Sequence, residues 1–335
     1  MLVKSFFYFK KGMKKVITMG EVLIDFMPTG DYEFQAKPGG APANVCACVS
    51  RLGGKGFYLG RMATDTFASF LKDEMQKCDI DLSFVTEDEK AKTALAFVTL
   101  KNGERSFSFY RDNTADLLFA PEDVKSGMLE KGDVLHFGSL GLGSLSSRKA
   151  HAKAIMQAEN VGAIVSFDIN IRENLWACRK EMLDAIVGFL PYADIVKMSD
   201  DELAIMCGRD GISPKTEKED IKSMFAISDK ATLIVLTRGE RGATVYDRDL
   251  NSYSVDAIKG NVVDTTGAGD SFIGALLFLL TNNKAELSVN GMKNALKFAT
   301  AVSSIVCSQK GAMNATPKYS EVIEYIKAKR LDYIL

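Results

Sequence analysis

Histidine is nearly absent from the sequence, which has two histidines in 335 residues, and its six cysteines show no spacing typical of a metal site. The sequence therefore argues against a zinc centre. His136 lies inside an apolar stretch and His151 on the surface of a predicted helix, so we expect structural roles for both. Cysteines without such spacing are typical of reduced thiols, and we expect a cytoplasmic protein.

An excess of one charge and long apolar runs are also missing. The chain has 42 Lys and Arg against 43 Asp and Glu, which argues against a nucleic-acid partner but permits a local phosphate site. No stretch reaches the roughly 18 apolar residues of a membrane-spanning helix, so we expect no membrane partner. The apolar run Phe6–Phe9 is too short for a secretory signal. We interpret residues 1–12 as an irregular extension and residues 13–335 as a single domain.

What the sequence does contain is an alternation of apolar strands and amphipathic helices from about residue 132 onward. Continuous apolar strands between amphipathic helices are typical of a parallel sheet that is covered on both faces. We therefore predict an α/β fold with a mainly parallel central sheet and helices on both of its faces. The predicted strands of this part are 133–139, 163–170, 194–199, 232–239 and 243–247.

A second, small sheet is predicted around residues 93–111. Two β-rich runs flank Asn102-Gly103 there, a dipeptide that strongly favours a hairpin turn. Together with a strand near 22–36, this hairpin is expected to form a sheet apart from the main body. Small appended sheets often cover a binding site, and we interpret this one as a β-sheet lid.

The stretch 264-DTTGAGDSF-272 stands directly before a strongly apolar, helical segment. The backbone N–H groups of Gly267, Ala268 and Gly269, with the N-terminus of the following helix, favour an anion. Asp270 in the same turn would repel a resident anion, but it suits an anion that develops beside a group losing a proton. Phosphoryl transfer to an alcohol has that requirement. The alternative is an ordinary acidic residue at a helix N-terminus.

Polar residues also follow the predicted strand at 163–170. Ligands of open parallel sheets bind beyond the carboxyl ends of the strands. Asp168, Asn170 and Arg172 alternate, so in an extended segment their side chains share one side and could face a hydroxyl-rich ligand. The alternative is a strand end with solvated polar residues.

The order and spacing of six motifs resemble the ribokinase-like sugar kinases, also called the phosphofructokinase-B family, and most of all the bacterial fructokinases. The resemblance covers essentially all of residues 16–325. The most specific motifs are 264-DTTGAGDSF-272 and 39-GGAPANVCACVSRLGG-54. The others are 20-GEVLIDFMP-28, 93-TALAFVTLKNGERSFSFYR-111, 136-HFGSLGL-142 and 168-DINIRENLW-176.

The resemblance implies a ribokinase-like fold with a lid, and it implies roles for individual residues. Asp270 is the expected base that takes the proton from a sugar hydroxyl. The expected anion hole consists of Gly267, Ala268 and Gly269. The expected sugar-binding residues are Asp25, Gly39, Gly40, Asn44, Phe109, Arg111, Asn170 and Arg172.

The resemblance also implies a nucleotide site for ATP with Mg²⁺. Its expected residues are Thr237, Gly239, Gly242 and Asn294, with Lys197 as a candidate phosphate contact. Glu202 is expected to act on magnesium indirectly, within 199-SDDE-202, where Ser199 replaces the asparagine of the family motif. Asp264 and Thr266 match a region that holds a monovalent cation in relatives, and potassium is the candidate. Family lids often pair, so a homodimer through the lid is expected.

We therefore expect an ATP-dependent sugar kinase, with fructose as the leading substrate. A 2-keto-3-deoxygluconate kinase is the alternative enzyme, because Arg111 and Arg172 suit a carboxylate as well as hydroxyls. A non-catalytic sugar or nucleotide sensor is the alternative from another class. It is disfavoured because the acid and both glycines of the turn are all present.

Overall fold

The computed structural model describes residues 12–101, 104–209, 211 and 216–331. The predicted extension at 1–12 therefore lies almost entirely outside the described residues, as does the dipeptide Asn102-Gly103. Within the described residues, no helix combines the length and the apolar character that crossing a bilayer requires.

Nine strands form the large central sheet. They are β1 (Lys15–Met19), β4 (Lys55–Ala63), β5 (Asp81–Asp88), β8 (Val134–Gly138), β9 (Ile164–Asp168), β10 (Ile195–Ser199), β11 (Leu233–Thr237), β12 (Ala243–Tyr246) and β13 (Ser252–Val255). Their order is β13-β12-β11-β10-β9-β8-β1-β4-β5. All neighbours are parallel except at one edge, where β12 runs antiparallel to β11 and β13. The prediction of a mainly parallel sheet is confirmed.

Helices cover both faces of this sheet, as predicted. They are α1 (Ala41–Arg51), α2 (Thr66–Lys77), α3 (Leu145–Val161), α4 (Arg179–Phe189), α5 (Asp200–Met206), α6 (Glu217–Ile227), α7 (Ala268–Thr281), α8 (Lys293–Cys307) and α9 (Tyr319–Ala328). The core has a large cluster on each side, because successive strand residues point to opposite faces. Ile17 and Leu135 join the cluster beneath α3 and α4, whereas their neighbours Val16 and Val134 join the cluster beneath α1, α7 and α8.

A second sheet of four strands forms the predicted lid. Its strands are β2 (Leu23–Gly30), β3 (Glu33–Gly39), β6 (Ala94–Lys101) and β7 (Glu104–Tyr110), in the order β3-β2-β6-β7. The pairs β2–β3 and β6–β7 are antiparallel, and β2–β6 is parallel. β2 follows β1 after three residues, and α1 follows β3 after one, Gly40, so the lid is tied to the strand and the helix that approach the 264–272 turn.

Candidate active site

The 264–272 turn begins α7 with a left-handed residue. Gly267 has φ 75° and is the N-cap, and α7 starts at Ala268. A side chain at Gly267 would overlap the Cβ of Ala312, so the turn fits only glycine there. Behind the turn, the apolar residues of α7 are almost all buried, which holds the start of the helix in a fixed place. The N-terminus of α7 therefore has the backbone arrangement that an anion site requires, and anion binding there stays a prediction.

Asn44 and Asp270 meet at this helix N-terminus, although they are 226 positions apart in the chain. The Nδ2 group of Asn44 donates to the Oδ2 atom of Asp270 over 2.8 Å. Asn44 lies in the first turn of α1 and is buried, and its Oδ1 atom has no hydrogen-bond partner among the described residues. Burial raises the pKa of Asp270 to about 6, although the Asn44 hydrogen bond and the charges of Lys197 and Arg172 act to lower it. A carboxyl group with that pKa is mainly ionised at neutral pH, as a base must be.

Lys197 lies beside the same turn in a buried ion pair. Its Nζ atom donates to Asp168 Oδ2 over 2.7 Å, and the two residues are partners on the neighbouring strands β10 and β9. Burial acts to lower the pKa of Lys197, but the carboxylates of Asp168, Glu202 and Asp270 more than offset it and raise it. A Cβ atom on Gly269 would lie 3.1 Å from the Lys197 Nζ atom. The turn therefore has a fixed ammonium group next to its backbone.

Replacing Lys197 by methionine is expected to lower the free energy of unfolding by about 3–5 kcal/mol. Asp168 is 2% exposed, and its Oδ1 atom has no hydrogen-bond partner among the described residues, so the variant would leave a buried charge without its cation. Urea unfolding measures the effect. The matched control is Lys197→Met with Asp168→Asn, which should recover most of the loss. Equal losses in the single and double variants would contradict this account of the pair.

The inner face of the lid carries two of the expected sugar-binding residues. Asp25 on β2 pairs with Ala96 on β6, which pairs with Phe109 on β7, so the three side chains share one face. Asp25 also packs onto Gly39, where any side chain would overlap its carboxylate. Burial, with the negative charges of Asp270 and Asp264, raises the pKa of Asp25 to about 7. This face of the lid is therefore electrostatically coupled to the turn that holds Asp270.

Three further residues expected at the sugar site are Asn170, Arg172 and Arg111, and the first two were also expected to share one side with Asp168. β9 ends at Asp168, and Asn170 has φ 34°, so the segment is not extended and the predicted alternation with Arg172 is wrong. Arg172 is exposed, and its charge acts to lower the pKa of Asp270. Arg111 is buried, with Nε 2.6 Å from Asp116 Oδ2 and Nη2 donating to the Leu140 carbonyl. A sugar contact by Arg111 stays a prediction, and its contacts join the segment after β7 to the segment after β8.

Glu202 and Ser199 form a capping box at the start of α5. The Ser199 hydroxyl accepts from the Glu202 N–H, and Glu202 Oε2 accepts from the Ser199 N–H over 2.7 Å. The other oxygen of Glu202 accepts from the Ile171 N–H over 2.8 Å. Ser199 therefore keeps a structural function where the family motif has asparagine, and Glu202 holds the 168–172 segment against α5.

Asp264 braces the loop before the turn. Its Oδ1 atom accepts from the N–H and the hydroxyl of Thr266, and its Oδ2 atom accepts from the Gly311 N–H. Across the part of the chain that the structure describes, no three His, Cys, Asp or Glu side chains converge as a metal site would require. A magnesium ion that is held mainly by phosphate oxygens and water, as Mg²⁺ often is in kinases, does not need such a cluster of side chains. The cation role of Asp264 and Thr266 stays a prediction.

None of the expected nucleotide residues lines the cavity beside β13, although Gly242 packs against Val255 of its lining. Thr237 ends β11, and the 3₁₀ turn after it places Gly239 at φ 52° and Gly242 at φ 85°. A side chain on Gly242 would overlap the Val255 carbonyl of β13. Asn294 is half-buried in the first turn of α8. The cavity, of about 240 Å³, is lined by Tyr253, Ser254, Val255, Asp256, Ile258, Lys297, Thr300, Ile326 and Leu331.

Sequence reasoning missed this cavity. β13 alternates between exposed and half-buried residues and has no continuous apolar run. Lys297 and Thr300 follow Asn294 on α8 at spacings of three residues, which places the three side chains on one face of the helix. This spacing was the signal in the sequence that could have indicated a binding surface on α8.

The chain is similar to known carbohydrate kinases over most of its length. A family model described as pfkB family carbohydrate kinase matches residues 13–319. The probable fructokinase-2 of Arabidopsis thaliana is 38% identical over 321 residues, which cover 93% of this chain and 95% of the relative.

Solved structures show the same similarity. The fructokinase of Xylella fastidiosa with bound ATP has a TM-score of 0.86 and 30% identity, covering 95% of this chain and 99% of that chain. The fructokinase of Vibrio cholerae with fructose, ADP and a calcium ion has a TM-score of 0.85 and 32% identity, covering 94% and 99%. The similarity of these structures agrees with the fold that the sequence predicts, a parallel sheet with a β-sheet lid. The chain belongs to the pfkB family of carbohydrate kinases.

Proposed function

We propose that this protein is a fructokinase, which transfers the γ-phosphoryl group of ATP to a primary hydroxyl of fructose. The observation that carries the proposal is the Asn44–Asp270 hydrogen bond at the glycine turn, beneath the inner face of the lid. The similarity to named fructokinases supports fructose as the sugar. Residues 13–335 are proposed to act as one kinase domain.

Asp270 is the proposed base. Asn44 occupies its Oδ2 atom, so the other carboxylate oxygen is the one to accept the proton of the sugar hydroxyl. The buried Oδ1 atom of Asn44 still lacks a donor among the described residues, and a sugar hydroxyl supplies one. Asp25, Gly39, Gly40 and Phe109 complete the sugar site from the lid side in this proposal. Arg111, Asn170 and Arg172 are proposed at its border.

The phosphoryl group is proposed to pass over the glycine turn. The N–H groups of Gly267, Ala268 and Gly269 and the positive end of α7 stabilise the charge on its oxygens. The Lys197 ammonium, adjacent to Gly269, adds a positive charge that burial keeps from being screened by solvent. Magnesium would supply positive charge that neutralises part of the charge on the phosphate oxygens. Glu202 is proposed to act on it through water.

The adenosine part of ATP is proposed to occupy the cavity beside β13. Gly242 packs against Val255, and Asn294 lies one helical turn before Lys297, so both adjoin residues that line the cavity. Thr237 and Gly239 are proposed to contact the nucleotide from the end of β11. Val255 and Ile258 offer an apolar surface for a base. Potassium is proposed near Asp264 and Thr266, since a Vibrio cholerae fructokinase variant was solved with fructose, ADP and a potassium ion.

A homodimer through the lid and a cytoplasmic location are also proposed. The outer face of the lid carries an aromatic cluster, with Phe26 and Phe97 stacked at 4.6 Å and Tyr110 against Phe97. Tyr110 is 63% exposed, as suits a residue that another copy covers. The six cysteines are free, and three of them are buried, which suits a reducing compartment.

A panel of acceptors in a coupled ADP-release assay tests the function. Fructose, ribose, 2-keto-3-deoxygluconate and adenosine are compared as kcat/KM at saturating ATP and Mg²⁺. The highest value is expected with fructose. A higher value with 2-keto-3-deoxygluconate would replace fructokinase by the alternative kinase, and tight fructose binding without ADP release with any acceptor would favour a sensor.

The dependence of kcat on pH is a second expected result. Because the pKa of Asp270 is raised to about 6, kcat is expected to fall as the pH drops through that value. Protonation of Asp270 removes the base, whereas at higher pH the carboxylate is fully available. Saturating fructose and excess Mg²⁺ keep the substrates in one form during the titration, and the melting temperature is followed as a control for unfolding. Constant turnover down to pH 4.5 in the folded protein would contradict Asp270 as the base.

A further inference from the structure

Helix α1 carries Asn44, but its own N-cap residue has no side chain. The N-cap is Gly40, at φ 108°, and the first turn of α1 contains no acidic residue. The Ala41 N–H instead donates to Glu21 Oε1 over 3.1 Å, from the turn between β1 and β2. Glu21 therefore caps α1 from 20 positions earlier in the chain and places a carboxylate at the positive end of the helix.

The backbone of Glu21 also constrains this helix start. A Cβ atom on Gly40 would lie 2.5 Å from the Glu21 carbonyl oxygen, so the chain before α1 passes directly over the 21–22 turn. The Asn44 N–H donates to the Gly40 carbonyl over 3.0 Å. The residue that Glu21 caps, the glycine and Asn44 therefore all belong to the first turn of α1.

Glu21 is costly to bury. It is 1% exposed, and its Oε2 atom has no hydrogen-bond partner among the described residues. Burial raises the pKa of Glu21 to about 7, against the lowering effect of Arg111 and with a smaller raising effect from Asp116. The hydroxyl of Tyr58 lies in the same cluster and donates to the Gly20 carbonyl. A glutamine would offer the same capping acceptor without a buried charge, so what the start of α1 uses at this position is the acceptor oxygen.

We propose that Glu21 is a positioning residue for the phosphoryl-transfer step: it sets the first turn of α1, which sets Asn44, which holds the carboxylate of Asp270. The proposal rests on the proposed function. Glu21 is too deeply buried to reach a substrate, and its effect passes through the contacts Glu21–Ala41 and Asn44–Asp270. Arg111 and Asp116, at the root of the lid, face Glu21 and connect it to the end of β7.

The effect should be visible in the dependence of kcat on pH. We call the part of this profile in which kcat falls as Asp270 is protonated the acidic limb. The Asn44 hydrogen bond acts to lower the pKa of Asp270, so a displaced Asn44 lets that pKa rise. The other charges that act on Asp270 are Asp168, Lys197, Arg172 and Asp25, and all of them stay in place in a Glu21 variant. The limb should therefore move to higher pH, while kcat at pH 8 falls about five- to tenfold, as for one lost hydrogen bond.

The test uses Glu21→Met, which keeps the volume but removes the acceptor, and Glu21→Gln, which keeps an acceptor. The limb is expected to move up by about half a pH unit in Glu21→Met, by as much in Asn44→Ala, and no further in the double variant. Glu21→Gln should return the limb and most of kcat to wild type. Additive shifts in the double variant, or a wild-type limb in Glu21→Met, would overturn the proposal.

Asp133→Leu is the matched control. Asp133 is also a buried carboxylate that accepts from backbone N–H groups, those of Lys15 and Glu130, but it lies at the far end of β1 and β8. This variant should lose stability and keep the acidic limb of the wild type. An equal shift of the limb in Asp133→Leu would show that the effect of Glu21→Met comes from general destabilisation, which would overturn the positioning role. Wild-type turnover of fructose is measured alongside. Its absence would overturn the proposed function itself, whereas an unchanged limb in Glu21→Met with normal wild-type turnover would overturn the positioning role alone.

Discussion

Asp270→Asn is expected to lower kcat with fructose by about 10²–10⁴-fold, the contribution typical of a positioned general base. The amide has nearly the same shape as the carboxylate and can still accept the Asn44 hydrogen bond, so the sugar site should stay assembled. It cannot accept the proton of the attacking hydroxyl. Stopped-flow or coupled assays give kcat, and calorimetry is expected to show fructose affinity within a few-fold of wild type.

The alternative for Asp270 is an ordinary acidic residue that interacts with a helix dipole. Asp201, which is exposed in the first turn of α5, has that role and provides the control. Asp201→Asn should leave kcat unchanged and alter stability by a few tenths of a kcal/mol. If Asp270→Asn behaved like Asp201→Asn, the assignment of the base would be wrong.

Asp270→Asn should also raise the melting temperature at pH 8. The pKa of Asp270 is raised from its ordinary value of 3.8 to about 6 in the folded protein, so ionisation of this group increasingly opposes folding as the pH rises between these values, and the full cost is present above them. The gain should therefore vanish near pH 4. A variant that is more stable at pH 8 and inactive cannot owe its inactivity to unfolding.

Gly267→Ala is expected to lower kcat by about 10²–10³-fold, the loss typical of a displaced oxyanion donor. An alanine here must adopt φ near 75° and also overlaps the Cβ of Ala312, so the turn has to move. The backbone N–H groups and Asp270 would move with it. The measurement is kcat at saturating fructose and ATP, together with the melting temperature.

Gly162→Ala is the control that distinguishes displacement of the glycine turn from backbone strain at a left-handed residue. Gly162 is the C-cap of α3 at φ 72°, nearly the same conformation as Gly267, and a Cβ atom there would meet nothing nearer than 3.8 Å. Gly162→Ala should therefore lose a similar stability from strain but keep wild-type kcat. If Gly162→Ala lowered kcat as much as Gly267→Ala, the overlap with Ala312 would not be the cause.

Local chemistry made much of the site predictable. The glycine turn, its position at the start of a helix and the acid in that first turn all follow from residues adjacent in the chain, and the structure confirms this local arrangement. The alternation of apolar strands and helices predicted the central sheet for the same reason, since each element reports its own periodicity.

Contacts across the fold were not predictable in this way. The Asn44–Asp270 and Glu21–Ala41 hydrogen bonds join residues that share no local pattern. The alternation of Asp168, Asn170 and Arg172 failed because Asn170 turns the backbone where an extended segment was assumed. His151 was placed on a helix surface, but it is fully buried and packs edge-on against Phe137, because small residues on α3 bring that helix close to the sheet.

The edge strands β5 and β13 also escaped prediction. β13 alternates polar and apolar residues over only four positions and β5 over only its first four, so neither has a pattern long enough to predict a strand. An edge strand is specified by the neighbour it pairs with, and that neighbour is set by the fold. The cavity beside β13 was missed for the same reason.

The central claim is that the turn at Gly267–Asp270 transfers a phosphoryl group from ATP to a sugar hydroxyl. Phosphorus NMR of a reaction with ATP, Mg²⁺ and fructose tests it most directly, because it identifies the phosphorus-containing product as well as the loss of ATP. One new sugar phosphate ester on a primary hydroxyl is expected, formed in step with ADP and at least about 10²-fold more slowly by Asp270→Asn. Inorganic phosphate as the main product, or the same ester formed at an undiminished rate by Asp270→Asn, would contradict it.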